Sequence, residues 1–581
     1  MKKKVFLPVV AFLAVQATYT PVNAIEFENK GVSGHFDTTI SWGASRRIQS
    51  RDPALVAISS GGSGFSSNVD DGNLNYNKGL ISNAIKVTHD LDVDYENFGA
   101  FVRGSYFYDF VNNDKAGLTK QAKDKVGKDI QLLDAYVRGS FELGGRPLDI
   151  RAGNQVVSWG ESTFIQNSIN VLNPIDVSKF RIPGAELREA LLPVPMLWAS
   201  HELTENLSLE AVYLARFEHT EIDPPGTYFS TNDFAGDGGQ YVTTGFGFVP
   251  DSICTAPPPV PGDPTFATYF ARCVPRANDR DAKDSGQYGL ALRWLVPELN
   301  DTELGFYYMN YHSRLPMISA IAASTVGAAS TGAYFIEYPE DIQLFGISFN
   351  TELSQSGIAL QGELSYRKDA PFQIDDVEIL FGALRLDLAG IPTQLSGYNP
   401  GDVVQGYKLL DVVQYQMTAT KLFGASNPFG ANQLVLLAEA GITHVTNMPD
   451  KSVLRFDGPG TGRPGDPTAG ALTVPGGSYQ EDGFADATSW GYRIVSRLDY
   501  DSALGAATLS PRIAFAHDVN GTSPGPGGNF IEGRRALTLG MGMNYLNRWT
   551  ADVSYTRFYG AGGFNLINDR DFIAMNVKYS F

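Results

Sequence analysis

Read at every second residue, the last ten residues allow very few folds. Ile573, Met575, Val577, Tyr579 and Phe581 are apolar, and Asn576, Lys578 and Ser580 stand between them. A period of two gives a strand with one apolar and one polar face. In water such a terminal strand would leave a greasy sheet edge, which soluble proteins avoid. A sheet that closes on itself has no edge, so the other strands must be sought upstream.

They are there. Phe36, Thr38, Ile40 and Trp42 alternate with Asp37, Thr39, Ser41 and Gly43. Ile85, Val87, Leu91 and Val93 oppose Lys86, Thr88, Asp90 and Asp92, and Val102, Tyr106 and Tyr108 oppose Arg103, Ser105 and Asp109. Leu133, Ala135, Val137 and Phe141 are predicted on the face opposite Asp134, Tyr136, Arg138 and Ser140. Leu148, Ile150 and Ala152 oppose Asp149 and Arg151. Further strands fall near 194–204, 206–218, 286–297, 301–313, 340–352, 357–368, 406–423, 431–446, 486–500, 505–517, 534–547, 549–559 and 571–581. The count is about 18, with 16 as the rival, and each is long enough for a tilted membrane crossing.

The connections sort by parity. Short turns follow even strands: Glu96-Asn97, Gly144-Gly145, Thr204 to Asn206, Glu298 to Asp301, Ser354 to Ser356, Asp501 to Leu504 and Asn547-Arg548. Long loops follow odd strands, at 47–77, 158–193, 219–284, 314–339, 369–405 and 447–485. The expectation is an all-β, antiparallel transmembrane β-barrel with long extracellular loops and short periplasmic turns. The Phe-terminated last strand resembles the C-terminal signal of Gram-negative outer-membrane barrels, which makes Tyr579 and Phe581 the barrel-closing signal and the assembly machinery a partner.

The N-terminus agrees. Lys2 to Lys4 precede the apolar run Val5 to Val15, and Val22-Asn23-Ala24 offers a cleavage site. Residues 1–24 read as a signal peptide, leaving 25–581 as one barrel domain in the outer membrane of a Gram-negative bacterium. No later run has 18 consecutive apolar residues, so helical spans are excluded. The net charge of −18 argues against nucleic acid. Cys254 and Cys273 lie in a Pro-rich loop and, in an oxidising compartment, are expected to pair.

Charges fall on the inward set: Arg103, Arg138, Arg151, Arg216, Arg293, Arg367 and Arg512, with Asp134, Asp149, Glu210, Glu363, Glu439 and Asp552. Each would cost about 2–4 kcal/mol on the lipid face for a basic residue at midplane, so they are assigned to the lumen. Two readings stay open: rungs of a selective pore, or ion pairs that hold wall and plug together. The loop 158–193 is apolar (Phe164, Ile165, Ile169, Val171, Leu172, Ile175, Val177) and braced by Asn173-Pro174 and Pro193-Val194-Pro195. It is expected to fold into the lumen. There Glu161, Asp176, Glu186 or Glu189 would meet a basic wall of Arg103, Arg138 and Arg151, and the apolar residues would face the permeant. Trp159, Arg293, Arg367 and Glu439 complete the predicted constriction; the alternative is a cap at the rim. The apolar stretches Leu315 to Phe335 and Val377 to Ile391 are either an entry funnel or a packed core at the barrel mouth.

Catalytic signals are missing. The seven His are scattered, with neither HExxH nor Gly-x-Ser-x-Gly. Neither a metal nor a cofactor is expected, and the protein is read as no enzyme.

Longer stretches carry a resemblance: Phe36 to Ser41, Asp70 to Tyr76, Val87 to Leu91, Arg151 through Ser158-Trp159-Gly160-Glu161 to Ser162, Asn173 to Ser178, Pro183 to Glu186, Leu192 to Met196 and Tyr228 to Phe234. Over the whole mature chain the sequence resembles the Gram-negative outer-membrane family catalogued as domain of unknown function 1302. The resemblance implies company: a periplasmic lipid-carrier-like protein, an inner-membrane transporter of the resistance-nodulation-division type, and pathways that degrade lipophilic compounds. The expected function is therefore a channel or transport protein for lipophilic or amphipathic small molecules, set among outer-membrane lipids. A plugged docking or structural barrel is the alternative, and a barrel-embedded hydrolase comes third.

Overall fold

The computed structural model describes residues 25–581 except 255–256 and 354–355. The signal peptide assigned to 1–24, and part of the turn assigned to Ser354 to Ser356, lie outside the described residues.

Eighteen antiparallel strands close into a barrel. They are β1 (Val32–Arg47), β2 (Gly79–Tyr95), β3 (Phe98–Asp109), β4 (Lys128–Leu143), β5 (Arg146–Gln155) and β6 (Val194–Thr204). Next come β7 (Leu207–Leu214), β8 (Tyr288–Val296), β9 (Thr302–Tyr311), β10 (Ile342–Leu353), β11 (Ile358–Gln373) and β12 (Tyr407–Phe423). The last six are β13 (Gln433–Val445), β14 (Thr488–Leu504), β15 (Ala507–Asn520), β16 (Arg535–Tyr545), β17 (Trp549–Tyr559) and β18 (Phe572–Ser580). Each pairs with its sequence neighbours.

Closure runs from Thr39↔Ser580 to Arg47↔Phe572. Phe581 extends it by exchanging backbone hydrogen bonds with Thr38, at 2.7 and 3.0 Å. Below that point Ile25–Asn29 folds back on Val32 to Phe36, so the edge of β1 is covered along its length. The Trp549 and Tyr579 rings meet at the seam, 4.5 Å between centroids. Outside, Ile85, Tyr106, Phe306, Ile347, Ile494, Val553 and Met575 leave an exposed apolar band. A band of this size marks a lipid-facing surface.

The structure corrects the alternation locally. Pairing jumps from Val102↔Ala135 to Gly104↔Leu132, so two residues of β4 oppose Arg103 alone. This bulge re-aims the strand. Leu133, expected outside, is buried beside Asp134, while Ile130 and Leu132 are exposed. The segment 501–504, expected to be a turn, belongs to β14, and the chain turns at 505–506. Arg216 lies beyond the end of β7 and pairs with Glu218 in the loop, not in the lumen.

At the long-loop end the connections pack on one another. Met317–Ile321, Ala333–Glu337 and Val403–Val404 form a small sheet of their own. Met317, Tyr334, Phe335, Ile379 and Phe381 are buried there, so the two apolar loops form a packed core at the barrel mouth. Cys254 and Cys273 are joined by a disulfide.

Candidate functional site

The connection 156–193 leaves β5 and crosses the barrel interior. Its first contacts are with the wall of β6–β10. There the inward set loses its polarity: Met196, Val212, Leu214, Met309 and Leu344 face in and enclose Val157, Trp159, Ile169 and Leu172. Trp159 is 1% exposed and donates its indole N–H to Glu210 Oε2 at 2.8 Å. Trp159 was expected to line the constriction. It is instead packed into the wall, where its size is most stabilised by burial.

Glycines on the wall make room for this. A Cβ on Gly289 would stand 2.7 Å from the Trp159 ring. On Gly346 it would meet Ile169 at 2.8 Å, and on Gly441 it would meet Ile165 at 2.9 Å. Any larger side chain at these positions must displace the loop.

Beyond Trp159 the wall captures the loop backbone. Glu439 accepts the N–H groups of Thr163, Phe164 and Ile165 at 2.9, 2.7 and 2.9 Å. Glu363 accepts those of Glu161 and Ile169, the latter at 3.2 Å. Hydrogen bonds to a charged acceptor contribute about 1.5–3 kcal/mol each. Glu161 itself accepts from Asn350 at 3.2 Å.

The chain then returns toward β1, β2 and β18. Asp176 caps its own turn, accepting from Ser178 N and Oγ at 3.0 and 2.6 Å. Glu186 pairs with Lys578 at 2.8 Å, and Glu189 pairs with Lys86. Lys179 reaches Asp129 at 2.9 Å. Pro183 fits against Gly43, where a Cβ would approach within 2.7 Å.

The expected basic wall does not meet the loop. Arg103 is held by Asp90 at 2.7 Å and Asp134 at 3.2 Å. Arg138 is held by Asp92 and Asp94, both at 2.6 Å. Arg151 stacks on Trp198, 4.6 Å from the ring centroid. Arg293 bridges Glu210 and Glu303, both at 2.9 Å. Each is already engaged by a carboxylate or ring of the barrel wall, and Glu186 and Glu189 of the loop take the two lysines. Ile165, Ile169 and Leu172, expected to face the permeant, are buried against the wall.

The loop leaves a cavity of about 1180 Å³ inside the barrel. Its lining includes the apolar Val171, Ile175, Val177 and Phe180 of the loop, with Phe372 and Phe558 of the wall. It also includes the basic Arg367, Arg512, Lys578 and Arg314, with Asp552 as the acidic partner of Arg512. Arg314 donates to the carbonyls of Glu218 and Leu172 at 2.8 and 3.0 Å. Burial pushes its guanidinium down to about 10, which leaves it charged at neutral pH. Arg512 and Arg314 were absent from the predicted constriction. The missed signal was the loss of alternation at the long-loop ends of β6–β10, which marks where the loop docks.

Comparison with solved structures finds barrels of similar size at low identity. Acinetobacter baumannii OccAB4 is 10% identical, with 97% of this chain and 100% of that one covered and a TM-score of 0.43. The outer membrane protein opdK from Pseudomonas aeruginosa is 9% identical over 94% and 98%, with a TM-score of 0.41. A BenF-like porin from Pseudomonas fluorescens is 8% identical over 94% and 98%, also at 0.41. No curated protein matches the chain. The family model described as "Protein of unknown function (DUF1302)" matches residues 5–581, and the chain belongs to that family.

Proposed function

We propose that this protein is an outer-membrane channel for amphipathic small molecules that carry an acidic head group. The observation that carries the reading is the cavity beside the loop, whose lining combines apolar side chains with basic ones. An aromatic or aliphatic body would lie along Val171, Val177 and Phe180, and its head would meet Arg367 and Arg512. A barrel of 16–18 strands is wide enough for such a path.

The test is reconstitution of the full chain. Planar bilayers should show discrete conductance steps, and proteoliposomes should take up an aromatic carboxylate faster than its neutral amide. Arg367→Ser should narrow that preference. A folded barrel with neither conductance nor uptake would favour the plugged docking protein instead. The finer part of the proposal is handover to a periplasmic lipid-carrier-like protein and a resistance-nodulation-division-type transporter. Deleting the carrier in cells should then abolish uptake while conductance in bilayers persists.

A further inference from the structure

At the long-loop end, carboxylates from two loops meet. Asp70 and Asp71 come from the connection after β1, and Asp233 comes from the connection after β7. One carboxylate oxygen of each lies within 4.8 Å of the others. Asp251, also from the second loop, faces Asp71.

Asp71 shares a side-chain hydrogen bond with Asp251, but ordinary partners do not account for Asp70 and Asp233. Asp70 is 1% exposed. Its Oδ2 accepts from Ala57 N at 2.8 Å, but its Oδ1 is buried with no hydrogen-bond partner. Asp233 repeats the arrangement: Oδ2 accepts from Asp71 N at 3.2 Å, and Oδ1 is buried and unpartnered. Asp70 occupies the N-cap of the short helix Asp71–Asn75, yet its side chain caps nothing. The neighbouring cations lie close enough for Arg51 to act on Asp70 and Arg570 on Asp233 through charge, but their hydrogen bonds go elsewhere. Arg51 donates to the Leu74 carbonyl at 2.7 Å. Arg570 donates to the carbonyls of Tyr228 and Ser230. Arg47 pairs with Asp569 at 2.8 Å.

Buried carboxylate oxygens need a proton, a cation or a metal. Calcium takes six to eight oxygens at about 2.3–2.6 Å, so ligand oxygens on opposite sides of one ion stand about 5 Å apart. Three oxygens within 4.8 Å of one another fit inside that span. A second acidic trio, Asp375, Asp376 and Asp457, shares this feature, since Oδ1 of Asp375 and of Asp376 is also buried and unpartnered. There Asp375 caps the helix Asp376–Ala383, accepting from Glu378 N at 3.3 Å, which Asp70 does not do for its helix.

We propose that Asp70, Asp71 and Asp233 bind a calcium ion that fastens the loop after β1 to the loop after β7. The backbone already brings these loops together: Asp233 N donates to Asn68 O at 2.8 Å, and Ser59 N donates to Gly247 O at 2.8 Å. The ion supplies the charge that this seam lacks. It makes the closure of the barrel mouth depend on external calcium.

The full chain, purified in detergent and stripped with a chelator, should be titrated calorimetrically with calcium chloride. The expected result is one site with a Kd on the order of 10⁻⁴ M, as in extracellular calcium modules. Asp70→Asn and Asp233→Asn should abolish the heat signal in this range, whereas Asp375→Asn should retain it. A second measurement needs no variant. At calcium ten times the Kd, trypsin cleavage within residues 48–78 of the parent should slow by about tenfold relative to chelator. Absence of binding heat, with equal cleavage in calcium and chelator, overturns the proposal. So does calcium binding that survives unchanged in both variants while their barrels remain heat-modifiable on gels.

Discussion

The two halves of the lumen loop are held in different ways. Residues 159–172 are driven into the wall: Trp159, Ile165 and Ile169 are 1%, 2% and 0% exposed and fill the spaces left by Gly289, Gly441 and Gly346. Residues 173–193 are held by three ion pairs, Glu186–Lys578, Glu189–Lys86 and Lys179–Asp129, and by backbone bridges of Ile175 to Leu191 and Asp176 to Glu221; both stretches border the cavity. Dry packing of large side chains tolerates little displacement. Lys86, Lys179 and Glu189 are buried, so of these pairs only Glu186–Lys578 is partly open to water and weak enough to reform easily. On the proposed channel function, the first half would act as a fixed wedge that narrows the barrel, and the stretch around Glu186 would be the part able to yield to a permeant.

Removing both halves gives the largest expected effect. Deletion of 164–190 with a short Gly-Ser linker should raise single-channel conductance severalfold and abolish the preference for acidic over neutral solutes. Equal conductance from a folded deletion barrel would move the obstruction to the packed loops 312–341 and 374–406.

Breaking the wedge alone should do less. Glu439→Ala strands three backbone N–H groups inside the barrel, each costing about 1–3 kcal/mol. Conductance should rise to a value between those of parent and deletion, and the thermal midpoint should fall. Glu439→Gln keeps an acceptor oxygen and should fall between parent and Glu439→Ala. A parent-like conductance and melt for Glu439→Ala would show that the glycine sockets hold the wedge unaided.

Loosening only the yielding stretch should be smaller still. Glu186→Gln removes the charge facing Lys578, and an ion pair of this exposure contributes up to about 1 kcal/mol. The expected outcome is more frequent switching between conductance levels with an unchanged thermal midpoint. Altered mean conductance with no change in switching would assign this segment to the wedge.

The same contrast explains what the sequence disclosed. Strand alternation and the parity of loop lengths are local properties, so closure at Phe581 and all eighteen strands were legible. Local irregularities were not: the bulge at Leu133-Asp134 leaves no mark in the pattern of polar and apolar residues, and the extension of β14 through 501–504 leaves none either. The apolar character of 158–193 pointed inward, but its partners are hundreds of residues away. The contacts of Glu363 and Glu439 with the loop backbone depend on barrel circumference, which no short window contains. Acids on the loop and arginines on the wall suggested each other, yet Asp90, Asp92 and Asp94 of β2 already engage Arg103 and Arg138. Histidine spacing carries a local metal signal, whereas the acidic trio is assembled from the loops after β1 and β7 and has no local pattern.

The smallest effect concerns the loops that roof both halves. Asp375, 0% exposed, sits with Asp376 and Asp457 in the connections after β11 and β13. Burial first, and then its acidic neighbours, hold Asp375 well above the ordinary carboxylate range. Burial raises Asp376 from 3.8 to about 6. In the packed state these groups keep protons that an opened loop would release. The stabilisation is therefore fully present below the ordinary value near 4, and it is lost as pH rises through about 6. Loop packing should be firmer at pH 5 than at pH 7.5, read as slower hydrogen exchange across 374–391. The barrel strands should exchange at the same chemistry-corrected rate at both pH values. Asp376→Asn keeps the packing and removes one titration, so it should flatten part of this dependence. An identical pH dependence in Asp376→Asn and parent would place the controlling proton on Asp375 or Asp457. Equal protection at both pH values would mean that the trio does not bear on the closure of the mouth, and the contrast between wedge and yielding segment would then stand without any contribution from the roof.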